Sequence, residues 1–165
     1  MRQAEIYQGR FNSDSVDLNQ GPNAVLRNME FVLEPRRRLI ITDRFYSSVL
    51  LSPILLQRGL YRVGTIQTNC RVYCKRIPYK QAKRPQKMEG EVYRIVQSKI
   101  DLKFVAVSWM YNWPVHFIAT GCSTRPTSLE RRTGATVVDF PAPELVKDYQ
   151  DGMGGADTHG QPGVS

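Results

Sequence analysis

Three groups of residues in this chain could do chemistry, and they lie far apart in the sequence. The first is an acid at the end of an apolar run, in Arg38-Leu39-Ile40-Ile41-Thr42-Asp43-Arg44-Phe45-Tyr46-Ser47-Ser48. Leu39 to Ile41 form a short branched stretch bounded by charge, which suits a strand covered on both faces. Asp43 stands where that strand stops, so its carboxylate is free to act beyond the sheet. The competing reading is that Asp43 and the serines only cap the helix that follows.

The second group is cationic. From Arg44 to Met88 the chain has ten Lys or Arg and no Asp or Glu. The densest part runs from Arg71 to Lys87, with Arg71, Lys75, Arg76, Lys80, Lys83, Arg84 and Lys87 interleaved with Tyr73 and Tyr79. Such cations neutralise phosphates and displace counterions, and tyrosines between them offer rings for unpaired bases, giving salt-sensitive, sequence-independent DNA binding. A solvated basic loop is the alternative. The formal charge of +8 fits either reading. The third group is Cys70-x-x-x-Cys74, which could open a zinc site; His116 and His159 form no paired motif with it, and structural thiols are the simpler reading. Three cysteines make an odd count without a disulfide framework, and the start has no apolar signal core. The longest apolar stretch, Val49 to Leu56, is broken by Ser52-Pro53 and too short for a bilayer, so a soluble intracellular protein is expected.

Positioning these groups requires a particular order of elements. A strand is predicted at Ala4 to Tyr7, followed by a polar loop. A helix over Asn23 to Leu33 comes next, capped by Asn23, with Ala24, Val25, Leu26, Met29, Val32 and Leu33 on its apolar face. Arg38 to Asp43 is the acid-ended strand. It leads to a helix through Leu56 to Gly59 in which Pro53 either follows a Ser52 cap or makes a kink. Tyr61 to Thr68 reads as a strand, as do Glu91 to Gln97, Phe104 to Trp109 and Val115 to Thr120. Thr124 to Gly134 reads as an exposed basic loop, Val137 to Phe140 as a short strand, and Glu144 to Gln150 as a closing helix.

The segment Ile41-Thr42-Asp43-Arg44-Phe45-Tyr46-Ser47-Ser48, then Gly59-Leu60-Tyr61-Arg62-Val63-Gly64-Thr65-Ile66, then Pro143 to Gln161 with Gly154-Gly155-Ala156-Asp157, resembles the transposase domain of the piggyBac family, in family order. That resemblance implies an α/β fold, a ribonuclease H-like mixed sheet with flanking helices and a β-rich insertion. It divides a single domain over 1–165 into a core at 1–70 and 143–165 and an insertion at about 71–142. It also implies a DNA-cutting site in which three aspartates hold Mg²⁺ or Mn²⁺, a nuclear setting, DNA as partner and a possible homodimer. Asp43 matches the second catalytic acid and Asp157 the third. The first acid has no match ahead of Tyr7-Gln8-Gly9, and the first strand of the sheet is missing with it. Gly160 and Tyr111 stand where the family carries further acids, and Gly160, Pro162 and Gly163 oppose a helix after Asp157.

Two-metal phosphodiester cleavage needs carboxylates that keep two ions roughly 3.5 to 4 Å apart. With Asp43 and Asp157 alone, the expectation is a transposase remnant that binds DNA without cutting it, less stable than a full core. Glu5, Asp14 and Asp17 are the nearest substitutes, yet read as an outward strand residue and loop residues. The alternatives are an active transposase completed by another segment or chain, and an inert or protein-interaction module.

Overall fold

The computed structural model describes residues 20–30, 38–84, 92–133 and 136–157. The predicted strand Ala4–Tyr7, the acids Glu5, Asp14 and Asp17, and the segment after Asp157 lie outside the described residues. So do Val32, Leu33 and Lys87.

A five-stranded sheet organises the molecule, in the order β1-β2-β5-β4-β3. Its strands are β1 (Leu39–Thr42), β2 (Tyr61–Thr65), β3 (Tyr93–Gln97), β4 (Phe104–Met110) and β5 (Pro114–Thr120). β1 and β2 run parallel, Thr42 beside Gly64. β2 is antiparallel to β5, and β5, β4 and β3 form an antiparallel meander. This mixed sheet with flanking helices is the expected α/β, ribonuclease H-like arrangement. Three strands of the region from 71 to 142 join the same sheet as β1 and β2. A separate ribbon pairs β6 (Pro126–Thr133) with β7 (Thr136–Pro143).

The helices lie on opposite faces because strand side chains alternate. On one face, α1 (Gln20–Met29) and α2 (Leu51–Gln57) bury Val25, Leu51, Leu55 and Leu60, with Ile40 packed beside them. On the other, α3 (Glu144–Asp157) and the ribbon bury Leu145, Val146, Phe140 and Ala142 against Val63, Val107, Trp109 and Phe117. Each such side chain removed from water contributes roughly 1.5–3 kcal/mol. Trp109 is fixed further by stacking on Tyr111 and by its Nε1–H, which donates to the Pro141 carbonyl at 3.0 Å. A third cluster, Ile66, Tyr73, Ile77 and Ile118, folds the irregular chain after β2 back onto the sheet.

Several predicted boundaries move. α1 opens at Gln20, so Asn23 is an interior residue and not its cap; Pro22 sits in the first turn, where a missing N–H costs nothing. α2 opens at Leu51, and Pro53 is likewise in a first turn and makes no kink. Its N-terminus is served by Ser48, whose Oγ accepts from Leu51 N at 3.1 Å, in place of Ser52. Thr124 to Gly134 is mostly strand β6, because β7 supplies a partner along its whole length. α3 runs past Gln150 to Asp157, its first turn anchored by Glu144 N and Leu145 N donating to the Arg125 and Ser123 carbonyls. Among the described residues no helix is long and apolar enough to cross a membrane.

Candidate functional site

Asp43 leaves β1 at the edge where both parallel strands end, the edge at which open α/β sheets hold ligands. Its carboxylate is half-buried and shapes its own turn. Oδ1 accepts from Phe45 N at 2.8 Å and from Tyr46 N at 3.3 Å. The residue therefore caps the turn 44–46 and leaves the helix to Ser48. Thr42, one residue earlier, is tied through Oγ1 to Ser47 Oγ at 2.9 Å.

The frame behind this turn is a buried arginine that sequence reading passed over. Arg62 on β2 is fully buried, with Nε donating to Thr42 Oγ1 at 3.1 Å and Nη1 to the Ser48 carbonyl at 2.7 Å and Ser52 Oγ at 2.9 Å. One guanidinium thus joins β1, the turn and α2. Its Nη2 has no hydrogen-bond partner among the described residues. Burial draws the guanidinium pKa down to about 10. A charged residue inside Tyr61-Arg62-Val63-Gly64-Thr65 reads as solvent-facing by default, and the signal against that was the serine cluster 47, 48 and 52 waiting opposite.

Two glycines permit the close approach of backbones here. A Cβ on Gly64 would lie 2.2 Å from Thr42 Oγ1 and 2.7 Å from the Thr42 carbonyl oxygen, and one on Gly21 would lie 2.2 Å from the Phe45 carbonyl oxygen. α1 and β2 therefore both press on the segment that carries Asp43. From the other face, α3 passes β1 at Gly152, where an added Cβ would run into Ile41 Cδ1. Asp157 is the last residue of α3, about 7.5 Å further along the axis at 1.5 Å per residue. α3 thus crosses β1 at Gly152 on the side opposite α2 and ends five residues later at Asp157.

The basic segment is more engaged than its composition suggests. Tyr73 and Tyr79 are buried, which corrects the expectation that they offer rings to bases. Tyr73 donates through its hydroxyl to the Val107 carbonyl at 3.4 Å, and burial, then the neighbouring cysteines Cys74 and Cys70, push its phenol well above the usual range. The Arg94 guanidinium lies 4.3 Å over the Tyr79 ring. Lys75 donates to the Thr68 and Cys70 carbonyls, Lys83 sits 5.1 Å over Trp113, and Arg84 sits 4.3 Å over Phe140. Arg71, Arg76 and Lys80 are exposed. Periodicity could not reveal the buried tyrosines, because this stretch is irregular and packs by individual side chains.

An open groove of about 460 Å³ lies between the end of β2 and the start of β5, with Arg44 of the turn after β1 on one wall. Arg44, Thr65, Gln67, Thr68, Asn69 and His116 give it polar walls. Burial lowers the His116 pKa, so its ring is neutral at pH 7. Cys70 and Cys74 are free thiols packed against the Ile66, Tyr73 and Ile118 cluster, and Cys122 is also free. Among the described residues no three His, Cys, Asp or Glu side chains group so as to hold a metal ion.

A family model described as Transposase IS4 matches residues 2–162. No curated protein matches the chain. Among solved structures, the chain is similar to a piggyBac transposase determined by cryo-EM as a synaptic complex with hairpin DNA, with a TM-score of 0.60 and 21% sequence identity. The match covers 92% of this chain and 29% of that one, so the chain spans under a third of the length of that relative.

Proposed function

We propose, since this chain belongs to the Transposase IS4 family as a piggyBac-type transposase domain, that it binds DNA through its basic surface and presents a two-carboxylate remnant of a phosphodiester-cleaving site that does not cut on its own. The placement of Asp43 carries this reading. It is a half-buried carboxylate at the carboxyl ends of the parallel strands, framed by Arg62, Thr42 and Ser47, and α3, which crosses the same strand at Gly152, ends on Asp157. The donor chemistry fits a hard divalent cation, since carboxylate oxygens are what Mg²⁺ and Mn²⁺ select. Asp43 and Asp157 would hold it. When bound, such an ion supplies an activated water and charge compensation at the leaving oxygen. The chain's own part is to aim Asp43 through the turn and to keep a strand of DNA against it. Two carboxylates define one ion poorly and a pair of ions worse, which is the physical basis for expecting binding without cleavage.

DNA is proposed as partner on three supports: the charge of +8, the exposed Arg71, Arg76 and Lys80, and the solved relative, whose complex holds hairpin DNA. Binding through these cations is sequence-independent and falls with salt. A DNA-bound role places the protein with the genome, in the nucleus of a nucleated cell.

The test is calorimetric titration of Mn²⁺ into the purified chain beside Asp43→Ala and Asp157→Ala, with nicking of supercoiled DNA followed in parallel. One weak site lost in either variant, without nicking, is the expected result. Nicking that disappears in Asp43→Ala overturns the loss of cleavage and restores the enzyme. Metal uptake indifferent to both variants removes the acids from any site.

A further inference from the structure

The irregular chain after β2 makes a tight reversal, and a thiol stands on each side of it. Arg71 and Val72 at its tip are exposed, while Cys70 and Cys74 are half-buried and pack against the same cluster of Ile66, Tyr73, Ile77 and Ile118. Tyr73 N closes the reversal by donating to the Cys70 carbonyl at 3.3 Å. Val72 inside it has φ 69°, a conformation that is costly for a branched residue and persists only where the flanking contacts dictate it. Lys75 ties the two limbs together, its Nζ donating to the Thr68 carbonyl and, at 3.4 Å, to that of Cys70. Both thiols also lie within electrostatic reach of the Tyr73 hydroxyl, whose pKa they help to raise. A structural zinc ion takes four ligands, and among the described residues no third His, Cys, Asp or Glu groups with these two. Two thiols brought to one tight reversal suit a different chemistry, the closure of a disulfide.

We propose that Cys70 and Cys74 are a redox-modification site, a dithiol that closes reversibly to a disulfide with a small disulfide such as oxidised glutathione as its oxidant. One cysteine, as its thiolate, attacks a glutathione sulfur. That S–S bond breaks, a mixed disulfide forms on the protein and one glutathione thiolate leaves. The second cysteine thiolate then attacks the protein sulfur of the mixed disulfide and displaces the other glutathione. The protons that the two cysteines release are taken up by the two glutathione thiolates, and two electrons pass from the protein to glutathione. The ring so closed carries the exposed Arg71 and Val72 at its tip, so the bond fixes covalently a part of the basic surface that is otherwise held by hydrogen bonds and packing. Cys122 stands apart from this chemistry, since its Sγ donates to the Arg62 and Thr120 carbonyls at 3.6 Å.

The test equilibrates the folded chain with glutathione buffers of rising oxidised fraction, blocks free thiols with N-ethylmaleimide and digests with trypsin for mass spectrometry. Because trypsin cuts after Arg71, the closed pair is read as residues 63–71 joined to 72–75, and dithiothreitol should separate them again. The linked product is expected before any modification of Cys122, with an equilibrium constant about tenfold greater than that of the same chain unfolded in urea. Val72→Pro, whose ring holds φ near −65°, breaks the reversal and is expected to bring the constant down to the urea value, with a melting curve to show that the rest of the fold persists. Should that variant not melt cooperatively, the comparison of folded and unfolded parent decides alone. Separate glutathione adducts on Cys70 and Cys74 with no linked product overturn the proposal. So does a constant no greater in the folded chain than in urea.

Discussion

Replacing Arg62 should separate packing from charge in the frame that supports Asp43. The guanidinium is buried among hydroxyl and carbonyl oxygens, and holding its charge there costs roughly 3 kcal/mol, the equivalent of its pKa falling to about 10. Against that cost stand its three hydrogen bonds and the burial of its stem, about 0.8 kcal/mol per methylene. Arg62→Met keeps most of the stem and removes the charge. Thr42 Oγ1 keeps Ser47 Oγ as a partner, so two acceptors are left bare at roughly 1–3 kcal/mol each, and the relief of about 3 kcal/mol offsets most of that, for a net destabilisation of about 1 kcal/mol. Arg62→Ala removes the stem too and opens a cavity, for a destabilisation of about 4 kcal/mol. In urea denaturation the order should be parent, then Met close behind, then Ala. By thermal melting, Ala should lie about 10 °C below the parent, taking roughly 2–4 °C per kcal/mol at this size. Met and Ala variants of equal stability would refute the reasoning, since both lack the charge and its bonds and the buried stem that distinguishes them would then contribute nothing.

Asp43→Asn keeps an oxygen to accept from Phe45 N and Tyr46 N, so stability should stay within about 0.5 kcal/mol while divalent-metal uptake disappears; calorimetry beside a melting curve checks both. Gly64→Ala forces a methyl against Thr42 backbone and should destabilise by about 2–4 kcal/mol in chemical denaturation, more than any exposed substitution. Val72 is held at φ 69°, in the left-handed region that a branched side chain avoids, so Val72→Gly should stabilise by about 1 kcal/mol in the same assay. Burial, and then the charge of Asp148, push the Cys122 thiol from 9.0 up to about 12. The folded thiol keeps its proton where the unfolded one has lost it, so this contribution to stability is complete below 9.0 and is lost as pH rises toward about 12. Iodoacetamide mapping at pH 8 should find Cys122 unmodified in the folded chain.

Much of the fold was legible because several elements carry their own boundaries. Leu39 to Asp43 could be read as an acid-ended strand from its branched run, and the prolines 141 and 143 announced α3. Strands β4 and β5 were visible as apolar stretches because α3 and the ribbon cover one of their faces and Ile66, Tyr73 and Ile77 the other. The ribbon β6–β7 was half-missed for the opposite reason. Its β6 strand includes Glu130, Arg131 and Arg132 and leaves only Leu129 packed on the core, so it is held mainly by pairing along β7, whose Phe140 and Ala142 carry the burial. Tyr73, Ile77 and Tyr79 look like interleaved aromatic and apolar residues in a basic loop, whereas Tyr73 and Ile77 pack against Ile66 and Ile118 of the sheet and Tyr79 is buried beneath the Arg94 guanidinium, a pattern with no period to detect. At the site, Asp43 was visible because a strand-end acid is a local signal. Arg62 was hidden because its partners, Thr42, Ser48 and Ser52, come from elements whose meeting only the tertiary structure reveals.

The sheet also implies an order of assembly. β3, β4 and β5 follow one another as hairpins and can zip locally within microseconds, whereas β1 and β2 join them only through the four pairs between Arg62–Thr65 and Phe117–Thr120. Closing that ladder means drawing together strands separated by the whole basic segment, an entropic cost that must be met before the contacts reward it. The half of the molecule bearing Asp43 is therefore the late-forming one, organised on a scaffold that has already folded. Amide exchange should record this hierarchy as protection in β4 and β5 that outlasts protection in β1. Loss of β1 protection no earlier than that of β4 would refute it.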